Sequence, residues 1–209
     1  AALGGARQAF VGLDTSVGSF TVGRQYAPSW WYYGRNSAND VKMNMPINSI
    51  QGDLIGKWAG GTMTTGDAAR WNNSIAYQSK NWSGFELRTV YSFGENTEDD
   101  RRNDTAELMD DGKFGLGVNY ANGPFQATLI YQGKYNVSGA APALTTLKGK
   151  SSNDINEYMV GASYDFKVVK LYGSYQQTDA DLGNQDKQAK IYALGLGIPV
   201  SAAGTVSVE

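Results

Sequence analysis

The chain has 209 residues, enough for one large all-β domain or two small ones. Its formal net charge of -2 gives no reason to expect nucleic-acid binding. Cysteine and histidine are both absent, which excludes disulfides, thiolate metal sites, cysteine nucleophiles and histidine-based catalysis. An enzyme with this composition would have to work with carboxylates, Lys, Ser or Tyr.

Apolar and polar residues alternate along most of the chain, as they do in β-strands with one polar and one apolar face. About ten strands are predicted in this way, at residues 7–13, 19–25, 70–78, 85–93, 114–120, 125–135, 156–164, 169–177, 188–200 and 205–209. In the third of these, Trp71, Asn73, Ile75 and Tyr77 are predicted to share the apolar face. The sequence contains no stretch of 18 uninterrupted apolar residues, so no transmembrane helix is predicted.

The connections between these strands alternate in length. Long polar segments cover 26–69, 94–112, 136–154 and 178–187, and short turns separate them at 79–84, 121–124, 165–168 and 201–204. An antiparallel up-and-down barrel in an outer membrane has this rhythm, with long loops outside and tight turns at the periplasmic rim. The predicted fold is therefore an all-β transmembrane barrel.

The composition of the two strand faces supports a membrane barrel. The polar face is mostly Gly, Ser, Thr, Asn and Gln, and the apolar face often ends in Tyr, Phe or Trp. Aromatic residues at strand ends suit a membrane interface, because each ring has an apolar body and Tyr or Trp also has a polar tip. Tyr-rich strands are also simply good strands, so a soluble β-barrel or sandwich that acts as a binding module remains an alternative.

The segment 26–69 is the anomaly of the chain. It is far longer than the roughly 4–6 residues that usually connect two strands. It is rich in residues that pack, including Trp30, Trp31, Tyr32 and Tyr33. A long loop of this composition is predicted to fold and to carry the function of the protein.

Several stretches together resemble the Gram-negative general porins of the 16-stranded trimeric type, and most of all the betaproteobacterial ones. These stretches are RQAFVGLDTSVGSFTVGRQY, RWNNSIAYQSKNWSGFELRTVYSFGE, YDFKVVKLYGSYQQ and KIYALGLGIPVSAAGTVSVE. The resemblance covers essentially the whole chain in order and spacing. It implies that residues 1–209 are part of one barrel domain, spanning about strands 4 to 13, and that 26–69 is the pore-constricting third loop.

The resemblance also implies a function and partners. The expected protein is a homotrimer in the outer membrane, in contact with lipid and lipopolysaccharide. It would be a water-filled channel for passive diffusion of small hydrophilic solutes and ions. Such a protein is expected to be no enzyme and to hold no metal or cofactor. The run Glu98–Asp104 is expected to be a solvated external loop, with divalent bridging to lipopolysaccharide as the alternative.

On the barrel wall, the resemblance implies a ladder of basic residues that faces the loop. The best matches are Arg24 and Arg70, with Arg7 and Arg88 as weaker members. Strict alternation puts Arg24 on the apolar face, so a break in register at Gly23 or a bulge is needed if Arg24 lines the pore.

On the loop, the charged candidates compensate one another. They are Asp40, Asp53 and Asp67 against Arg35, Lys42 and Lys57. With arginines opposite a neutral loop, the sequence predicts weak selectivity that leans to anions.

The aromatic run Trp30–Tyr33 is open to two interpretations. It either anchors the loop against the wall or stacks on sugar rings, as in a sugar-specific channel. A substrate-specific outer-membrane channel for a sugar or an organic acid is the first alternative function. A purely structural or adhesive barrel is a further alternative, and it would show no conductance.

Overall fold

The computed structural model describes residues 6–36, 38, 70–94, 112–135, 154–181, 186–201 and 204–208. Within these ranges the chain forms ten strands, one short α-helix and one 3-10 helix. The strands are β1 (Ala9–Asp14), β2 (Gly18–Tyr26), β3 (Arg70–Ser79), β4 (Phe85–Ser92), β5 (Lys113–Asn122), β6 (Phe125–Lys134), β7 (Asp154–Asp165), β8 (Lys170–Asp181), β9 (Asp186–Ser201) and β10 (Gly204–Val208). The helices follow β2: α1 is Pro28–Tyr32 and the 3-10 helix is Tyr33–Asn36.

The ten strands form one antiparallel sheet in which each strand pairs with its neighbours in sequence, in the order β1 to β10. This meander confirms the predicted up-and-down arrangement. Glycines with a positive φ stand in two of the tight turns, Gly84 at 101° and Gly123 at 56°, where an L side chain would be strained. None of the helices in the described part of the chain is long and apolar enough to cross a membrane.

The two faces of the sheet differ as the alternation predicts. One face carries buried or half-buried polar side chains such as Arg88, Asn119, Gln132 and Gln176, and we call it the polar face. The other, the apolar face, exposes large hydrophobic side chains, among them Phe20, Val22, Ile75, Leu129, Tyr158, Val160, Tyr192, Leu194, Ile198 and Val206. A sheet with one polar face and one exposed apolar face is typical of a membrane barrel, in which lipid covers the apolar face.

A register shift interrupts the pairing of β2 with β3. Gly23 pairs with Ser74 and Gln25 pairs with Trp71, so two residues of β3, Asn72 and Asn73, lie opposite the single Arg24. The register does shift beside Gly23, but the extra residue belongs to β3. The alternation of β2 is therefore unbroken, and the shift does not turn Arg24 to the polar face. Asn73 adopts φ 46° there, a conformation that Asn tolerates better than most residues.

This bulge overturns the predicted face of Trp71. Trp71 is fully buried in a cluster with Ala27, Ala76 and Val90, and a Cβ added to Gly115 would lie 2.9 Å from its ring. It therefore lies on the polar face and not on the apolar face with Ile75. Simple alternation failed because the bulge shifts the side-chain parity of every residue before it in β3.

The prediction of a loop over 178–187 is also wrong at both ends, because the flanking strands extend into this range. Strand β8 continues to Asp181 and β9 begins at Asp186, with Thr178 paired to Ala189 and Asp181 paired to Asp186. Polar composition suggested a loop, but polar side chains bond to one another here: Gln177 donates to Asp179 at 2.8 Å and Gln188 donates to Asp179 at 2.6 Å. Where a barrel strand extends past the apolar band that faces lipid, its side chains do not need to be apolar.

Candidate functional site: a loop helix on the polar face

The chain turns back onto the sheet immediately after β2. Ala27 is extended, with φ -65° and ψ 162°, and Pro28 occupies the first turn of α1. Proline suits this place because its fixed φ is helical and its missing N–H would have no partner in a first turn. The 3-10 helix then carries the chain to Asn36. We call residues 27–36 the loop helix; it is the described beginning of the predicted third loop.

Glycines of the sheet make room for the loop helix on the polar face. A Cβ added to Gly115 would lie 2.8 Å from Pro28 Cδ, and one added to Gly117 would lie 2.5 Å from Tyr32 Cδ2. On later strands, a Cβ added to Gly161 would lie 2.8 Å from Asn36 Cβ, and one added to Gly195 would lie 2.6 Å from Cβ of Ala38, which follows the loop helix. The absence of side chains at these four positions lets the loop backbone approach the sheet closely.

Buried hydrogen bonds fix the loop helix in this position. The backbone N–H of Ser29 donates to Gln132 Oε1 at 2.9 Å. The Tyr33 hydroxyl donates to Gln176 Oε1 at 2.7 Å. Both glutamines are almost fully buried, so each bond satisfies groups that water does not reach.

Apolar contacts complete the packing under the loop helix. Tyr32 and Tyr33 form a buried cluster with Ile130 and Met159 of the sheet, and Trp31 packs against it. The Tyr32 hydroxyl has no hydrogen-bond partner among the described residues. Burial raises the pKa of the Tyr32 phenol to about 12, and the nearby carboxylate of Glu86 contributes in the same direction.

A loop cation meets a wall carboxylate at the end of the loop helix. Arg35 Nη1 lies 2.7 Å from Glu86 Oε2, and Arg35 Nε donates to the carbonyl of Trp31 at 3.2 Å. The guanidinium also lies over the ring of Tyr32, 4.9 Å from its centroid. Glu86 was not among the predicted site residues. The available signal was its place two residues before Arg88 on the polar face of the same strand.

Arg88 is the basic wall residue that the structure places against the loop. It is only 6% exposed. Its Nη1 donates to Gln78 Oε1 at 2.6 Å and its Nη2 donates to the carbonyl of Tyr26 at 3.3 Å. The guanidinium lies over the ring of Trp31, 5.0 Å from the centroid, a favourable cation–π arrangement. Its Nε has no hydrogen-bond partner among the described residues.

Arg24 lies away from this group. Thr21 donates to the side chain of Gln25 at 2.6 Å, so these two residues share the polar face and Arg24 alternates to the other side. Its guanidinium donates to the carbonyl of Ala6 at 3.2 Å and to the side-chain oxygen of Asn72. A pore-lining role for Arg24 stays a prediction.

Arg70 and Arg7 are also outside the contact between Arg88 and the loop helix. Arg70 is the register partner of Tyr26 in the pairing of β2 with β3, and its guanidinium lies 5.9 Å from the centroid of the Tyr26 ring. The other stacking partner of Tyr26 is Trp30, with ring centroids 4.2 Å apart. Arg7 is exposed just before β1.

The predicted site residues Asp40, Lys42, Asp53, Lys57 and Asp67, and the run 98–104, lie outside the described residues. Their places in the third loop and in an external loop stay predictions.

A cavity of about 380 Å³ lies between the loop helix and the first strands. Its lining includes Phe10, Thr21, Gln25, Trp31, Gln78 and Arg88. The loop helix therefore has one side packed on β5 to β8 through the glycines and glutamines, and another side open toward β1 and β2.

An antiparallel meander with an exposed apolar face, and with a loop folded against its polar face, defines a segment of a membrane β-barrel. Comparison of the sequence with known protein families confirms this class. The family model described as Gram-negative porin matches residues 1–209, so the chain belongs to that family, whose members are found in the Gram-negative outer membrane. Membership in this family also confirms the prediction that the protein is not an enzyme.

Two relatives make the comparison concrete. The chain is 31% identical over 206 residues to outer membrane porin protein 32 of Delftia acidovorans, covering 97% of the chain and 52% of that protein. It is 28% identical over 229 residues to an outer membrane porin protein of Bordetella pertussis, covering 96% of the chain and 55% of that protein. The resemblance to betaproteobacterial porins is thereby confirmed. The chain spans about half the length of these curated relatives.

Among solved structures, the chain is similar to outer-membrane expressed OmpT of Vibrio cholerae, with a TM-score of 0.46 and 15% identity. That match covers 96% of the chain and 68% of the OmpT chain. In vitro folded OmpT in its trimer form gives a TM-score of 0.45 at 12% identity, with the same 96% and 68% coverage.

Proposed function

We propose that the protein to which this chain belongs forms a water-filled channel in the outer membrane, through which small hydrophilic solutes and ions diffuse passively. The observation that carries the proposal is the position of the loop helix. It packs on the polar face of the sheet, against Gly115, Gly117 and Gly161, and the opposite face exposes its apolar side chains. A loop on the polar face of a membrane barrel narrows the lumen.

The permeation path is proposed to run along the first strands. The loop helix packs against β5 to β8, so the path is proposed to lie on its other side. This other side carries Trp31, which lines the cavity together with Gln25, Gln78 and Arg88. The whole segment 26–69 is proposed as the constriction, of which the loop helix is the part in contact with the wall.

Selectivity is proposed to be weak and to lean to anions. The loop cation Arg35 is compensated by Glu86. The contacts of Arg88 within the described residues are an amide, a backbone carbonyl and an aromatic ring, so they leave its positive charge uncompensated. A buried, uncompensated cation beside a narrow aqueous path favours anions.

Partners follow from the two surfaces. The apolar face is proposed to contact outer-membrane lipid and the lipid part of lipopolysaccharide. A homotrimer is proposed on the family resemblance. No nucleic-acid partner is proposed for a chain of net charge -2.

Planar-bilayer recording of the purified porin tests this proposal. We expect stepwise insertion of open channels, closure in three steps, and a reversal potential in a KCl gradient with the sign of anion preference. A protein that gives no conductance would overturn the channel, and a clear cation preference would overturn the selectivity. A soluble binding module, the alternative fold-level interpretation, would extract from cells without detergent, whereas the exposed apolar face predicts that detergent is required.

A further inference from the structure

We propose that the cavity between the loop helix and the first strands is a binding subsite for a neutral sugar ring. The inference rests on the proposed channel and names a class of solute that the channel retains briefly as it passes. The cavity, about 380 Å³, is within the size range of small-molecule sites. The charged residues of its lining are Asp14 and Arg88, one acid and one base, so their formal charges cancel.

Phe10 is an exposed aromatic side chain on the polar face of the sheet. It alternates along β1 with Gly12, which pairs with Thr21 of the polar face, and it lines the cavity. Phe10 is 47% exposed, and among the large hydrophobic side chains that the described strands expose it alone lies on the polar face. Its ring therefore meets the proposed aqueous path, where a ligand with an apolar surface can cover it.

The Phe10 ring, and not the Trp31 ring, is the one available for stacking. The Arg88 guanidinium already lies over the Trp31 ring, 5.0 Å from its centroid. Within the described residues, Phe10 has neither an aromatic nor a cationic stacking partner. One face of a pyranose ring consists of C–H groups, and such a face packs well on an aromatic ring. The exposed Phe10 ring therefore suits a sugar ring.

Acceptor groups in the cavity suit the hydroxyl groups of a sugar. The Asp14 side chain is 68% exposed, and its Oδ1 lies 2.6 Å from Lys80 Nζ and accepts from Ser19 at 2.7 Å. A carboxylate has about four acceptor positions, so Asp14 keeps acceptor capacity beyond these two contacts. Gln8 adds an exposed amide to the lining, and an amide both donates and accepts. A neutral ligand rich in hydroxyl groups, each of them donor and acceptor, matches this lining.

The test uses single-channel currents of the full-length porin in KCl, with glucose or sorbitol added at equal concentration. Glucose is a ring with an apolar face, whereas sorbitol is an open-chain polyol of similar size and has no such face. We expect glucose to lower the current with saturation. Sorbitol should lower it only through the viscosity of the solution, without saturation.

Two phenylalanines on neighbouring strands provide the matched variants. In Phe10→Leu, which keeps an apolar side chain but removes the ring, the half-blocking glucose concentration should rise about three- to tenfold. Phe10→Tyr keeps the ring and should block like the parent. Phe20→Leu is the control, because Phe20 is 45% exposed but lies on the apolar face, and it should also block like the parent.

The outcomes separate the subsite from the channel itself. If the parent conducts but glucose causes no saturable block, the subsite is overturned and the channel stands. Equal saturable block by sorbitol would overturn the stacked ring, and an equal loss of block in Phe20→Leu would overturn the assignment to Phe10. Should Phe10→Leu fail to assemble, Asp14→Ala replaces it, with a rise of about three- to tenfold expected from the lost acceptor. Absence of conductance in the parent overturns the channel and the subsite together.

Discussion

The guanidinium of Arg35 and the carboxylate of Glu86 lie 2.7 Å apart. In this ion pair the positive charge is on the loop and the negative charge is on the wall. The resemblance to porins implies basic residues on the wall, yet in this pair the wall residue is the acid and the base is on the loop. Both side chains are about a quarter exposed. The pair therefore ties down the end of the loop helix and cancels one positive charge at the edge of the proposed path.

Replacement of Glu86 by Gln should increase the preference for anions. The neutral amide no longer compensates Arg35, so the field in the constriction becomes more positive. The lost ion pair itself should lower stability by only about 0.2–1 kcal/mol, because it is partly exposed. The measurement is the reversal potential in a KCl gradient, with Arg35→Gln as the reciprocal variant, expected to shift the other way. Unchanged reversal potentials in both variants would show that the pair lies off the ion path.

The contact between Gly117 and Tyr32 predicts that alanine will not be tolerated under the loop helix. The added Cβ would lie 2.5 Å from a ring that is 1% exposed and cannot withdraw. Overpacking of this kind costs about 1–3 kcal/mol. We expect Gly117→Ala to lower the thermal stability and to change the conductance, because the loop helix must move. Gly173→Ala is the control, since its Cβ would meet only Leu194 Cδ2 at 3.5 Å; equal effects of the two substitutions would contradict the prediction.

The features that the sequence predicted correctly are those set by residues near one another in the chain. Strand alternation is local, and it predicted ten strands in one meander and the correct faces for Glu86 and Arg88. The bulge at Asn73 is set by pairing with β2, and nothing in the residues of β3 alone showed that Trp71 would cross to the polar face. The glycines under the loop helix read only as weak strand formers, because their use depends on a segment distant in sequence. The Arg35–Glu86 pair is likewise a long-range contact, 51 residues apart, that no spacing rule could find.

Asn73 should tolerate glycine but not a β-branched residue. Its φ of 46° lies in the left-handed region, which costs an ordinary L residue about 1–2 kcal/mol and a β-branched one more. We expect Asn73→Val to lower the free energy of unfolding by at least that amount, and Asn73→Gly to change it little. Urea titration of the purified porin measures both. A valine variant as stable as the parent would mean that β3 can remove its bulge, in which case Trp71 should become accessible to fluorescence quenchers in the membrane.

The two adjacent tyrosines of the loop helix should respond differently to loss of their hydroxyl groups. The Tyr33 hydroxyl donates to the buried Gln176 at 2.7 Å, so Tyr33→Phe leaves that glutamine oxygen without its donor. The cost should be about 1–3 kcal/mol. The buried Tyr32 hydroxyl has no partner among the described residues, so Tyr32→Phe should be neutral or stabilising, because an unpaired polar group is removed from the interior. Thermal unfolding of both variants beside the parent decides the matter. If Tyr32→Phe proved the more damaging of the two, the hydroxyl of Tyr32 would have to serve the channel or the fold in a way that these contacts do not explain.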